Sequence, residues 1–198
     1  MLFPDERAEP LAALSEWLQA ARDASEPVAE AMAVATISPD GWPSVRMVIL
    51  RGLDEGLVFY TDAESAKGAD LAGCPRAAAV LHWLTPAHRQ VRVSGLVETV
   101  SDDEADAYWR ARRPQARWAA AATPQSQVAA SREVLEERVD AYRRLFPGAD
   151  DVGRPSRWCG YRIIPTVVEF WQQAADEVHD RLRYRRDGAG WAVERLSP

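Results

Sequence analysis

From the N-terminus, apolar positions first recur at helical intervals. Within residues 5–24, Leu11, Leu14, Trp17, Leu18 and Ala21 fall three and four apart, predicting one amphipathic helix with a single buried stripe. The period then shortens into β-branched runs at 31–38 (AMAVATIS), 43–53 (PSVRMVILRGL), 57–62 (LVFYTD), 77–84 (AAAVLHWL) and 89–100 (RQVRVSGLVETV). Turn-forming PDGWP, DEG and CPR separate them, which predicts closely spaced antiparallel strands and a barrel. Ser101, three residues before Glu104, forms a capping box for SDDEADAYWRARR, whose acidic start and basic end suit the helix dipole. Residues 126–146 keep helical spacing after Pro124 and stop at Pro147-Gly148. A polar loop at 147–156 leads to CGYRIIPTVVEFWQ, RLRYRR and WAVERLSP, read as closing strands with a hairpin turn at Asp187-Gly188.

The 198 residues fit one well-cored domain, spanning 1–198, with the N-terminal helix inside 1–25 and a closing segment at 155–198. The fold class expected is mainly β with flanking helices. An apolar share of 47% and a charged share of 27% are those of a folded globular chain, and no run is long enough to span a membrane. With 24 basic against 30 acidic residues the net charge is -6, so a nucleic-acid footprint is not expected. Cys74 and Cys159 lack metal-ligand spacing and no metal site is expected. The opening residues lack the basic and apolar regions of a secretion signal, so a reducing cytoplasm is the simplest address.

Common nucleotide, hydrolase and zinc signatures are absent, so chemistry must come from scattered side chains. The positions overbuilt for a β surface are Arg46 and Arg51 on one strand, Tyr60-Thr61 with Ser65 and Lys67 after the next, and Arg89-Gln90 opening another. Strand-end hydroxyls and cations can cradle a phosphate through charge-assisted hydrogen bonds. Each alone reads more readily as a solvated surface residue than as a ligand contact.

In order and spacing, RMVILRGLDEGLVFYTDAESAKG, RQVRVSG, AYWRARRP, PQSQ, EFWQ, HDRLRY and WAVERLSP resemble the pyridoxine 5'-phosphate oxidase family, from about residue 28 to the C-terminus. The resemblance implies an FMN-binding split β-barrel that forms a homodimer, with FMN at the subunit interface. It implies that Arg46, Met47, Val48, Ile49, Leu50 and Arg51 face the flavin, and that Tyr60, Thr61, Ser65 and Lys67 meet its phosphate and ribityl chain. Gln90, Gln125, Ser126, Trp171 and Arg181 match further flavin contacts, some from the partner chain. Ala66 stands where the family has an arginine, removing one phosphate contact. Trp171 also reads as a core aromatic, and Ser126 as the cap of the helix that follows.

The family's substrate positions correspond to Arg51, Tyr108, Arg112, Ala116, Glu177 and His179, and three of these six differ from the family's residues. Tyr108 and Arg112, at i and i+4, would share a helix face, with Arg113 as the rival for Arg112's place. Glu177 stands where the family has arginine, and Gln173 and Ala174 replace its paired glycines. At about 4 Å and an effective dielectric of 20, a carboxylate and a phosphate charge repel by roughly 4 kcal/mol, several hundredfold in binding. Glu177 is thus either the mark of a changed substrate pocket or an exposed loop residue paired with Arg183 or Arg185. His179 keeps its place, with Arg181, as a catalytic candidate. The function implied is an FMN-dependent oxidase acting on a small molecule, with reoxidation by dioxygen. The alternatives are a relative acting on another aromatic or dihydro-aromatic ring, as in the phenazine branch, or a flavin-binding protein without turnover.

Overall fold

The protein is described by a computed structural model at residues 3–4, 9–148 and 152–198. Residues 5–8 of the expected N-terminal helix and 149–151 of the expected loop lie outside the described residues. Helix α1 (Pro10–Asp23) opens on a proline, whose missing N–H costs nothing in a first turn, and buries Leu14, Trp17, Leu18 and Ala21. Strands β1 (Ala31–Ile37), β2 (Pro43–Ile49), β3 (Gly52–Leu53) and β4 (Leu57–Asp62) follow, then helix α2 (Ala66–Gly73), β5 (Arg76–Trp83) and β6 (Arg89–Thr99). Helices α3 (Asp102–Ala111), α4 (Pro114–Ala122) and α5 (Arg132–Leu145) precede β7 (Trp158–Gln172), β8 (Asp180–Asp187) and β9 (Gly190–Arg195).

The strands form one curled antiparallel sheet in the order β2-β1-β5-β6-β7-β4-β3, with β8 on β7 and β9 on β8. Strand β7, 15 residues long, is its spine. One edge pairs with β6, while the other pairs with β4 at its start and β8 at its end. Where β6 shifts register, a Cβ on Gly95 would fall 1.8 Å from the Ile164 carbonyl oxygen, so only glycine allows the strands to approach there.

Alternation along β1 sends Met32, Val34 and Thr36 inward; Met32 and Val34 join the core of Leu81, Val91, Ile163 and Phe170 under α1, and Thr36 donates to Asp70. Trp17 seals this half-barrel, 2% exposed and edge-on to Phe170 at 5.1 Å. Truncating it to alanine would cost about 3–5 kcal/mol. A smaller core of Trp109, Trp118, Val152 and Trp158 ties the middle helices to the start of β7.

Three differences from the sequence expectation bear on the site. The long second strand breaks after Ile49 and resumes as the short β3. Helices α2 and α4 were not expected; α2 is only eight residues with two glycines, too short for a clear period. The last helix starts at Arg132 and not at 126. Its cap is Ser131, whose hydroxyl accepts from the Val134 N–H, so Ser126 is not the cap. Ser126 has φ +69, a left-handed conformation incompatible with continuing a helix.

Candidate functional site

The strand β4 to α2 turn gathers the first group of candidate residues. Ser65 caps α2, accepting from the Gly68 N–H, and places Lys67 in the first turn with its ammonium turned inward. Lys67, 7% exposed, donates to Thr61 Oγ1 at 2.9 Å, Ser65 Oγ at 3.1 Å and Gln125 Oε1 at 2.6 Å. Thr61 Oγ1 in turn donates to Gln125 Oε1 at 2.8 Å. Burial, and then the neighbouring charge of Arg46, hold the Lys67 ammonium below the usual lysine range. Arg46 lies on the inner face of β2, donating to Thr36 Oγ1 at 2.6 Å and Ser44 Oγ at 2.9 Å and pairing with Asp70 at 3.3 Å.

Alternation decides what the rest of β2 offers. Val48 is half-buried, while Met47 is 63% exposed on the opposite face, and β2 is a sheet edge next to β1 alone. Its outward backbone groups can therefore serve a planar ligand that needs both donors and acceptors. Leu50 is buried core and Arg51 lies past the strand, so the six residues expected on one flavin-facing strand do not act alike.

The second group abuts the first. Tyr60 and Tyr108 stack at 3.9 Å and 9°, and the ring fits because a Cβ on the opposing Gly160 would sit 2.7 Å from it. Burial first, then Glu104, pushes the Tyr60 phenol up to about 12. The Arg51 guanidinium lies 5.9 Å from the Tyr108 ring centre. Arg112 caps the end of α3 in extended backbone, so it does not share a helix face with Tyr108. It stacks on Trp158 at 4.0 Å and lines a cavity of about 280 Å³ with Asp62, Ala116 and Gln125. Its buried Nη1 has no hydrogen-bond partner among the described residues, and burial lowers its pKa. Arg113 is exposed, so Arg112 is the arginine that faces the cavity.

The third group stands apart. Cross-strand partners share a sheet face, and the register pairs His82 with Gln90, Gln90 with Trp171 and Trp171 with Arg181. These four form a row on the outer face, opposite the core residues Leu81, Val91, Phe170 and Leu182. Trp171 is half-buried on that face and not in the core. Arg181 donates to Glu169 Oε1 at 2.7 Å and to the Ser197 carbonyl at 2.8 Å, leaving its buried Nε without a partner among the described residues. His88 and His179 approach the Trp171 ring edge-on at 5.2 Å and 5.0 Å.

Glu177 does not pair with Arg183 or Arg185; both arginines bind Glu194. Its carboxylate instead lies 3.6 Å from His179 Nε2 and is 80% exposed. Glu177 thus sits beside His179, at the Trp171 end of the outer row.

Several residues that shape the site carried no recognisable sequence signal. Asp62, 3% exposed, accepts from Arg157 Nε at 2.8 Å, and Arg157 also holds the last carbonyls of α4. Asp70 and Thr36 orient Arg46 from a distance of 24 and 10 residues. Glu169 opens EFWQ, yet its partnership with Arg181 emerges only from strand register.

A curled antiparallel half-barrel with a buried lysine held by two hydroxyls and an amide at one end, and an aromatic and arginine row on its outer face, defines a split-barrel flavoprotein. Residues 19–146 match the family model described as pyridoxamine 5'-phosphate oxidase, and residues 158–198 match the pyridoxine 5'-phosphate oxidase C-terminal dimerisation region. The chain belongs to the pyridoxine/pyridoxamine 5'-phosphate oxidase family and is an FMN-dependent oxidoreductase.

It is 45% identical over 196 residues to the pyridoxine/pyridoxamine 5'-phosphate oxidase of Cupriavidus taiwanensis, covering 98% of this chain and 91% of that protein. With that of Salinibacter ruber it shares 46% over 193 residues, covering 96% and 89%. Its structure superposes on PhzG from Burkholderia lata, solved in complex with tetrahydrophenazine-1-carboxylic acid, with TM-score 0.93 and 32% identity over 100% of this chain and 98% of that one. An FMN-binding protein of Nostoc punctiforme, 21% identical with TM-score 0.77, shares the fold. Among the described residues no helix is long and apolar enough to cross a membrane.

The side chains present fit FMN. Lys67, Thr61, Ser65 and Gln125 offer a buried cation, two hydroxyls and an amide for a phosphate and ribityl chain. Arg181 Nε is a buried donor still to be satisfied.

Proposed function

We propose that the chain is a homodimeric oxidase of a vitamin B6 5'-phosphate, each site being built from two copies. The observation that carries this reading is the separation of the candidate residues along β7. Thr61 pairs with Cys159 at one end of that strand, and Trp171 lies at the other. Twelve residues of extended strand span roughly 40 Å, too far for one small cofactor to meet Lys67 and Trp171 of the same chain. A second copy that brings its outer row against the Lys67 cluster makes one site of the two halves. The matched dimerisation region at 158–198 includes Trp171, His179 and Arg181, and Val45 and Met47 on the outer face are 69% and 63% exposed, an apolar surface for a partner to cover.

In this reading Lys67, Ser65, Thr61 and Gln125 hold the cofactor phosphate and ribityl hydroxyls. Arg46 is fixed by Asp70 beside them, and Ala66 leaves Lys67 as the cation that the first turn of α2 offers. Ser126, next to Gln125, extends the same wall. Arg51, Tyr108 and Arg112 hold the substrate phosphate at the cavity mouth, while Gln90, Trp171, Arg181 and His179 close the opposite side. FMN, when bound, supplies the acceptor for a hydride from the substrate carbon that bears the amine or hydroxyl. For the amine the balance is R–CH2–NH3+ with O2 and H2O giving R–CHO, NH4+ and H2O2. The protein's task is to hold that carbon in place and exclude water, which the stacked Tyr60 and Tyr108 and the Trp171 ring do by their bulk.

The test is anaerobic mixing of FMN-loaded protein with pyridoxine or pyridoxamine 5'-phosphate, followed by admission of dioxygen. Loss of the visible flavin absorbance and its return with peroxide is the expected result. A spectrum unchanged by both vitamers overturns this reading and favours a second one, supported by Ala116 and Glu177. There the substrate is a larger, partly reduced aromatic carboxylic acid, of the kind bound by the Burkholderia lata neighbour. Bleaching by such an acid alone would establish it.

A further inference from the structure

We infer that Glu177 selects the amine-bearing vitamer over the hydroxyl-bearing one, an inference that rests on the oxidase reading above. The argument starts from the loop after EFWQ, which is held at several points. The Gln173 N–H donates to the His88 carbonyl at 3.0 Å, and the Gln173 side-chain oxygen accepts from His88 Nδ1 at 2.9 Å. The Ala174 N–H donates to His179 Nδ1 at 3.3 Å, and the Glu177 N–H to the Ala174 carbonyl at 3.3 Å. Asp176 closes a further turn by accepting from the Val178 N–H. Where the family's glycines would leave a pliable segment, this chain ties the loop to His88, just before β6, and to His179 itself.

Two consequences follow for His179. Because Nδ1 accepts from a backbone N–H, the neutral ring carries its proton on Nε2. That nitrogen points toward the Glu177 carboxylate 3.6 Å away. Glu177 holds this position at φ +62, a left-handed conformation that is unfavourable for a non-glycine residue. Its charge is not spent on the nearby arginines. Arg183 and Arg185 bind Glu194, Arg195 binds Asp180, and Arg181 binds Glu169. Among the described residues, His179 is the one basic group in ion-pair range of it. An uncompensated carboxylate therefore stands beside the imidazole that frames the substrate ring.

The two vitamer phosphates differ at one substituent, an aminomethyl group that is cationic near neutral pH and a hydroxymethyl group that is neutral. A carboxylate forms a charge-assisted hydrogen bond with the first, about twice as strong as a neutral one, and gains only an ordinary hydrogen bond from the second. The family's arginine would oppose the ammonium. Glu177 thus acts as a specificity-determining residue.

The experiment compares kcat/KM for pyridoxamine 5'-phosphate and pyridoxine 5'-phosphate on FMN-loaded protein for the native chain, Glu177→Gln, Glu177→Asp and Glu177→Arg. Calorimetric titration of both ligands into the anaerobically reduced holoenzyme, which cannot turn over, gives the matching ratio of Kd values. The expected result is a native preference for the amine of at least tenfold. Glu177→Gln should bring both ratios to near unity, Glu177→Asp should keep most of the preference, and Glu177→Arg should reverse it. A native enzyme without preference, or the same ratios in Glu177→Gln, overturns the inference while leaving the oxidase reading standing. A native holoenzyme that neither oxidises nor binds either vitamer removes the oxidase reading, and this inference falls with it.

Discussion

Around Lys67 the polar groups have found one another within a single chain; around Trp171 they stand on the outside of the sheet, facing whatever lies beyond it. Lys67 is 7% exposed and its ammonium is bonded to two hydroxyls and an amide, so that end is already shaped before a ligand arrives. The row of His82, Gln90, Trp171 and Arg181 shares the sheet with it but turns the opposite way, and its supports are a strand register, a loop and the C-terminal residues. In the proposed reading the first region is a finished socket and the second is half of a site completed by another copy. Preorganisation puts binding strength at the first, and the open second is where specificity can change without disturbing the fold.

The comparison is broken most severely at the socket. Replacing Lys67 with alanine removes the buried cation at which an FMN phosphate would be held. A hydrogen bond to a charged group contributes up to about 3 kcal/mol, so FMN retention should weaken by roughly 100-fold, measured by flavin fluorescence titration. An unchanged Kd would move the phosphate to another part of the molecule. At the outer row the corresponding break is smaller. Deleting residues 196–198 takes away the Ser197 carbonyl that Arg181 binds and the Leu196 N–H that donates to the Arg181 carbonyl. The loss of about 1.5 kcal/mol of orientation should weaken FMN about tenfold with little change in thermal stability. A loss as large as that of Lys67→Ala would show that the two ends are equally decisive.

The same contrast explains what could be read from the sequence. Strands, their turns and α1 were legible because alternation and helical period act locally, and Lys67, Ser65, Thr61 and Gln125 stood out as candidates because the motifs that hold them resemble the family's in order. What could not be read is whatever depends on register or on distant chain. The side of the sheet on which Trp171 lies follows from its pairing with Gln90 and Arg181. The choice between Arg112 and Arg113 follows from the chain leaving the helix at Arg112 and stacking it on Trp158, 46 residues later in sequence. Glu177 had its arginine neighbours in sequence but not in space, because β9 brings Glu194 to them first.

Protonation sharpens the comparison further. Burial, and then Arg46, lower the Lys67 pKa in the free protein, and an anion bound opposite the ammonium would raise it again. Between the two values binding takes up a proton. FMN affinity should therefore be full below the lowered value and fall, by at most tenfold per pH unit, as pH rises above it toward the bound value. Lys67→Arg should flatten this profile, since a guanidinium keeps its charge throughout that range. A profile that steepens in the acid direction would contradict the assignment.

The smallest effect expected is at His88, and it separates the two regions most cleanly. His88 touches none of the socket residues; it donates to the Gln173 side chain, shares a 2.7 Å contact with His82 and meets the edge of Trp171. Those groups are exposed or half-buried, so losing them costs about 0.5–1 kcal/mol, close to a threefold effect. His88→Ala should loosen the loop that carries His179 and raise KM about threefold while sparing kcat and the FMN Kd. His88→Gln, which can still donate to Gln173, should recover most of the loss. If His88→Ala instead released FMN as Lys67→Ala is expected to, the outer row would be a cofactor support as firm as the socket, and the division between a finished and an open half would not hold.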